Sequence, residues 1–215
     1  MRAVSPRLSF AAALAASAVL SAPPAFAQTS AMPAHPATTP AATAPSAPSA
    51  PSAPPVTAPA PQPLATAALK TAGGADAGTV TVFQGPMGAI LRVDGKGWPA
   101  GWHAVHLHAV GTCEGTAFTS AGGHVNHMDH PRPHGLLNDD GGPDLGDLQN
   151  VYAAADGSVH ADVYLATSGL DAKPEDYMDA DGLSFVVHAN ADDYVSQPIG
   201  GAGARIACGV FAPAS

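Results

Sequence analysis

Residues 102–110 read Trp102-His103-Ala104-Val105-His106-Leu107-His108-Ala109-Val110, and this stretch sets the fold and the chemistry together. It reads as a strand. Side chains two apart on a strand share a face, so His106 and His108 point one way and Val105 and Leu107 point the other, into a core. A His-x-His pair on one strand face is an economical chelate for a metal that favours imidazole, such as copper or zinc.

The surrounding pattern is of the same kind. Residues 78–84 alternate β-branched with other side chains, and Gly85-Pro86 ends them. Residues 89–93 lead to a turn at Asp94-Gly95. Further strand candidates are 150–155, 159–166, 183–189 and 205–211. Asp156-Gly157 separates two of these and predicts a hairpin. No segment holds a 3.6-residue period. Short strands with glycine-rich turns predict an all-β sandwich or barrel. Two long connections, 111–147 and 189–204, interrupt it, and loops of that length in a compact domain are usually functional.

The chain of 215 residues allows one ordinary domain with extensions. Arg2 and Arg7 precede an apolar, alanine-rich run over 8–20, and Ala25-Phe26-Ala27 forms a small-residue cleavage site. Residues 1–27 therefore read as a signal peptide, whose apolar run is too short to span a membrane, which predicts export to the periplasm. Residues 28–63 hold eleven prolines among Ala, Ser and Thr and read as an extended tether, about 100 Å at full stretch. The folded domain is expected over 64–215. An exported chain meets an oxidising compartment, where its only two cysteines, Cys113 and Cys208, can pair.

The net charge is −9, and only 12% of residues are charged. Removing Arg2 and Arg7 leaves six basic against seventeen acidic residues, a balance of −11. Such a chain repels nucleic acid and anionic lipid surfaces, so neither is an expected partner, and no membrane insertion is expected once the signal is removed. Histidines number ten against eight Lys and Arg, and nine of them lie between His103 and His188. Clustering of that kind points to metal. The stretch 120–135, SAGGHVNHMDHPRPHG, carries His124, His127, His130 and His134, and Asp144 and Asp147 follow. Imidazoles and carboxylates together suit a second, zinc-type site.

Five separated motifs now stand in one order: GWHAVHLHAVGTC (101–113), TSAGGHVN (119–126), GDLQN (146–150), LSFVVHANADD (183–193) and GGAGARIACGVF (200–211). Together they resemble the copper/zinc superoxide dismutase family over residues 64–215. The resemblance implies an eight-stranded Greek-key β-barrel with two long functional loops, and copper and zinc as cofactors. It implies an enzyme that dismutes superoxide to dioxygen and hydrogen peroxide and protects the cell envelope.

Motif by motif, His106, His108, His124 and His188 resemble the copper ligands, and His124 the imidazolate that bridges to zinc. His134, Asp144 and Asp147 complete the expected zinc set with His124. Asp192 resembles the carboxylate that hydrogen-bonds a copper histidine and a zinc histidine at once. Arg205 resembles the arginine beside copper that attracts the anionic substrate, and so joins His124 as a catalytic residue. Cys113 and Cys208 match the intrasubunit disulfide.

Two departures leave alternatives open. Asp144 stands where the family commonly has histidine, so the zinc site is either a two-histidine, two-aspartate centre or a weak one. The run from His124 to His134 is longer than usual, which makes His130 an alternative to His134. The rival function is a periplasmic copper carrier on the same fold, against which Arg205 argues, since a carrier has no anion to capture. Family members of bacterial origin are monomers or homodimers, and the sequence decides neither.

Overall fold

The computed structural model describes residues 60–166, 177 and 179–214. The expected signal peptide, and the expected tether as far as residue 59, lie outside the described residues. The protein is all-β, with nine strands and one 3-10 turn at Thr119–Ala121 among the described residues. The strands are β1 Ala65–Thr71, β2 Asp76–Gln84, β3 Gly88–Gly95, β4 Gly101–His103, β5 Val105–His108, β6 Val151–Ala153, β7 Val159–Ala166, β8 Ser184–His188 and β9 Arg205–Pro213. Seven form one curled antiparallel sheet in the order β5-β8-β9-β1-β2-β3-β7, and β4 pairs with β6.

Three readings change. The single strand expected over 102–110 is two strands, broken at Ala104: β4 pairs with β6 and β5 with β8. Counted as one bent strand, the pair restores the expected eight. The turn expected at Asp94-Gly95 comes later, because both residues stay paired with β2, Asp94 opposite Thr79 and Gly95 opposite Gly78. At Asp156-Gly157 the turn is present, with Gly157 at φ 80°, but its flanking strands enter different sheets.

One strand escaped the sequence reading. β1 is the alanine-rich ATAALKT, whose composition favours helix over strand. What makes it a strand is its position between two partners, β2 and β9. Ala65, Ala67 and Leu69 then alternate inward while their neighbours face water.

The core fills the concave side of the sheet with Leu69, Val80, Leu91, Val93, Leu107 and Phe185, all essentially inaccessible. Each contributes about 1.5–3 kcal/mol by leaving water. β5 and β8 are buried on both faces. Val105 and Leu107 pair with Val187 and Phe185 toward the core. His106 and His108 pair with Val186 and Ser184 on the other face. This two-sided burial is what puts imidazoles in a dry environment.

Behind that second face, Phe118, Ala121, Val186 and Cys208 form a smaller apolar cluster that Cys113 packs against. The Cys113–Cys208 disulfide joins the long loop to β9 with Cα atoms 5.7 Å apart, across 95 residues of chain. In the chain-entropy account, a closure of that length removes roughly 4–5 kcal/mol of denatured-state freedom. Replacing Cys208 with Ser is expected to lower the unfolding free energy of metal-free protein by about that amount, read from urea midpoints. A midpoint unchanged by the substitution would show that the loop is held without the bond.

Candidate metal centre

β5 is an edge strand of the large sheet, with β8 on one side. Its other edge is covered by two loop segments. Ala109 N–H donates to Gly123 O at 3.0 Å, Val125 N–H to Leu107 O at 2.9 Å, and Leu107 N–H to Gly146 O at 2.9 Å. Backbone bridges place His124 opposite His108 and Asp147 opposite His106. An exposed strand edge must be covered, and this one is covered by the residues that carry the chemistry. Only glycine serves at 146, where a Cβ would stand 2.3 Å from Leu107 O.

The result is two clusters. His106, His108, His124 and His188 bring one donor atom each within 4.8 Å of one another. His106, His124, His134 and Asp147 do the same. The tautomers show how His106 divides between them. Its Nε2–H donates to Asp192 Oδ2 at 2.9 Å, so its Nδ1 is the available donor. His108 Nδ1–H donates to Gly122 O at 3.0 Å, and His188 Nδ1–H to Gly203 O at 3.2 Å. Each ring is thus locked by one nitrogen and presents the other. The presented atoms, His106 Nδ1, His108 Nε2, His124 Nε2 and His188 Nε2, are all buried with no hydrogen-bond partner. Buried polar atoms are rarely left so, and four converging nitrogens fit a cation that takes imidazole.

The second pocket is built from carboxylates that each hold one oxygen on the backbone. Asp147 Oδ2 accepts from Gly135 N–H at 2.7 Å and Asp144 N–H at 3.1 Å. Asp144 Oδ1 accepts from Gly146 N–H at 3.0 Å. Their other oxygens face two rings. Asp144 Oδ2 lies 3.0 Å from His124 Nδ1 and 4.0 Å from His134 Nδ1. Asp147 Oδ1 lies 3.4 Å from His124 Nδ1 and contacts His134 Nδ1. His134 Nε2–H donates to Asp192, which leaves Nδ1 turned inward. His124, His134 and Asp147 therefore converge, nitrogen and oxygen donors of the kind zinc takes, while Asp144 lies against His124 outside that cluster.

Electrostatics separate the two sides. Burial pushes His106 down to about 4, against the pull of Asp192, and pushes His188 down to about 3. Burial lowers His108 as well. These rings are held neutral, as metal ligands must be. On the other side burial also opposes charge, but the carboxylates outweigh it. Asp147 and Asp192 raise His134 to about 10, and Asp144 and Asp147 raise His124. Burial raises Asp144, while contacts from His124, His134 and the Gly135 amide overcome burial and hold Asp147 low. That side draws positive charge.

Residues around the centre were not singled out by sequence. Asn150 exchanges hydrogen bonds with the Asp192 backbone, Nδ2–H to Asp192 O and Asp192 N–H to Oδ1, both 2.8 Å. Gln197 clamps the His134 backbone, Nε2–H to His134 O at 2.7 Å and His134 N–H to Oε1 at 3.0 Å. Gly200, at φ 57°, leaves room for the Asp192 carboxylate, which a Cβ would strike at 1.7 Å. His103 carries no ligand role: its ring lies 2.7 Å from both His188 O and Pro99 O. Neither His127 nor His130 joins either cluster. Arg205 is half-buried, its guanidinium donating to Phe118 O at 2.6 Å and Gly122 O at 2.7 Å.

Comparison with known proteins agrees with this geometry. The family model described as copper/zinc superoxide dismutase matches residues 76–211. The Superoxide dismutase (Cu-Zn) of Caulobacter vibrioides is 51% identical over 150 residues, covering 68% of this chain and 84% of that one. Superoxide dismutase (Cu-Zn) 2 of Aquifex aeolicus is 35% identical over 62% of this chain and 78% of its own. Among solved structures, a double mutant of a SOD-like protein from Bacillus subtilis superposes with a TM-score of 0.61 at 32% identity, over 67% of this chain and 95% of that one. The Cu/Zn superoxide dismutase of Brucella abortus gives 0.53 at 30% identity, over 67% and 97%. Matched in sequence, fold and paired metal pockets, the chain belongs to the copper/zinc superoxide dismutase family, oxidoreductases whose cofactors are copper and zinc.

Proposed function

We propose that His106 Nδ1, His108 Nε2, His124 Nε2 and His188 Nε2 hold the copper. His124 Nδ1, His134 Nδ1, Asp144 Oδ2 and Asp147 Oδ1 hold the zinc, with the His124 ring shared. The observation that carries this reading is the set of four buried, unpartnered nitrogens that face one point. When bound, copper supplies the one-electron exchange by which two superoxide ions and two protons become dioxygen and hydrogen peroxide, and zinc supplies a fixed positive charge. His124 is suited to hold a proton at Nε2 and pass it on, because Asp144 and Asp147 anchor its other edge.

Asp192 orients both halves, since one carboxylate fixes the His106 and His134 tautomers together. Arg205 receives the anion. Its charge reaches His108 and His188, where it acts against protonation. The loop 189–204 contains no Lys or Arg and contains Asp192 and Asp193, so steering rests mostly on Arg205. The sequence of 1–63 supports export by a cleaved signal, a tether, and a role in protecting the cell envelope. No helix among the described residues is long and apolar enough to cross a membrane.

Three outcomes follow from the assignment. Protein purified without added zinc is expected to hold close to one zinc per chain, and Asp144→Ala to lose zinc while keeping copper. Less than about half an equivalent of zinc in the parent protein, with full copper, would refute a four-donor zinc site. Arg205→Ala is expected to slow superoxide removal about tenfold at low salt and to flatten its salt dependence. An unchanged low-salt rate would remove Arg205 from substrate capture.

The third outcome concerns pH. His106 and His188 take protons near 6.5 in the unfolded chain but only near 4 and 3 in the fold. As pH falls through that window, the unfolded chain binds protons that the fold refuses, and chelator-treated protein loses about 1.4 kcal/mol per pH unit for each group. His134 acts in the other direction: its contribution is complete below 6.5 and is lost as pH rises toward 10. Metal-free protein should therefore be most stable near neutral pH, and metal loading should extend stability on both sides. A flat urea-midpoint profile between pH 4.5 and 9 would contradict the burial argument.

A further inference from the structure

The stretch 124–134 carries four histidines, and the proposed centre uses only His124 and His134. The other two lie together. His127 and His130 stack with ring centroids 4.7 Å apart and planes 16° from parallel. His127 is buried and His130 is exposed. The chain between them is held closed by one side chain. Asn126 Oδ1 accepts from His127 N–H at 2.9 Å and Arg132 N–H at 2.8 Å, and its Nδ2–H donates to Arg132 O at 2.8 Å. Residues 126–132 thus form a loop tied at its base, which lowers the ordering cost of binding anything to the two rings.

We propose that His127 and His130 form a separate capture site for a divalent cation that favours imidazole, copper(II) or zinc(II), on the loop between His124 and His134. Two nitrogens bound to one such ion at 2.0–2.1 Å lie about 3.4 Å apart. Rings 16° from parallel hold their in-plane lone pairs in separate planes, so one ring must swing out of the stack to share an ion. His130, being exposed, can make that swing while buried His127 keeps its place. The chain's charge of −9 favours cations near its surface. Two protein donors leave the remaining positions to water, so the ion is held less firmly than at either four-donor pocket. That suits capture and release beside a permanent centre. The proposal rests on the zinc assignment above, which leaves both rings unused by the main centre.

The test uses the full-length protein already loaded with copper and zinc, dialysed against copper(II) sulfate, with bound metal counted by elemental analysis. The expected result is one further metal per chain beyond the two of the loaded protein. His130→Gln and His127→Gln should each abolish it, and His160→Gln, at another exposed histidine, should leave it intact. His130→Gln changes an exposed side chain and should leave the first two metals in place, so loss of the third is not a folding effect. No third metal in the parent protein, or a third metal that survives both substitutions, overturns the proposal. A defect in the main centre would show separately, as a shortfall in the first two metals.

Discussion

Asp192 accepts from His106 through Nε2–H at 2.9 Å and from His134 through Nε2–H at 3.1 Å. Those two rings belong to different pockets and to distant parts of the chain. One carboxylate therefore fixes two tautomers and two ring orientations at once. The rest of the region serves to keep that carboxylate in place. Asn150 holds its backbone on both sides, the Tyr194 amide donates to its Oδ1 at 2.6 Å, and Gly200 leaves the space it occupies. Its charge is stabilised by the same two imidazoles, which overcome the burial that would otherwise raise it. A carboxylate in this position has no neutral substitute, because an amide could accept from one ring but not equally from both.

The sheet supplies the second constraint. An edge strand with both faces buried is an unusual place for two histidines. Burying an imidazole with one nitrogen unpartnered disfavours the fold, and here the penalty recurs at His106, His108 and His188. Two features offset it. The core behind β5 and β8 is tightly packed, from Leu107 to Phe185. The disulfide ties the loop carrying the outer face to β9. The rigidity is therefore concentrated where donor atoms must stay in place without help from solvent.

Much of this was legible in sequence, and the reason lies in periodicity. Residues on strands announce their face, so His106 and His108 could be separated from Val105 and Leu107 by parity alone. The motifs around His124, Asp147, His188 and Asp192 carried the rest by resemblance. β1 was missed because its alanines carry no strand signal; its partners β2 and β9 make it a strand. The break at Ala104 was missed because a change of sheet leaves alternation intact. Asn150 and Gln197 were missed for a different reason. They act on backbone groups 42 and 63 residues away, and nothing local in sequence marks such a contact. Asp144 was legible as a departure, but not the way its carboxylate turns, with one oxygen on the Gly146 amide and the other toward His124.

That departure has an electrostatic consequence. A second carboxylate in place of an imidazole adds a negative charge to one side of the His124 ring, on a chain that is already acidic. The ring responds by holding positive charge more firmly, as its raised affinity for a proton shows. On the opposite side Arg205 is fixed by two carbonyl oxygens, so its charge is positioned with no carboxylate to neutralise it among its bonded partners. The two ends of the centre are therefore polarised in opposite senses. Negative groups gather beside His124 and His134, and the Arg205 guanidinium stands on the side of His108 and His188. With Arg205 receiving the anion as proposed, its placement offsets locally the repulsion that the overall charge imposes on an anionic substrate.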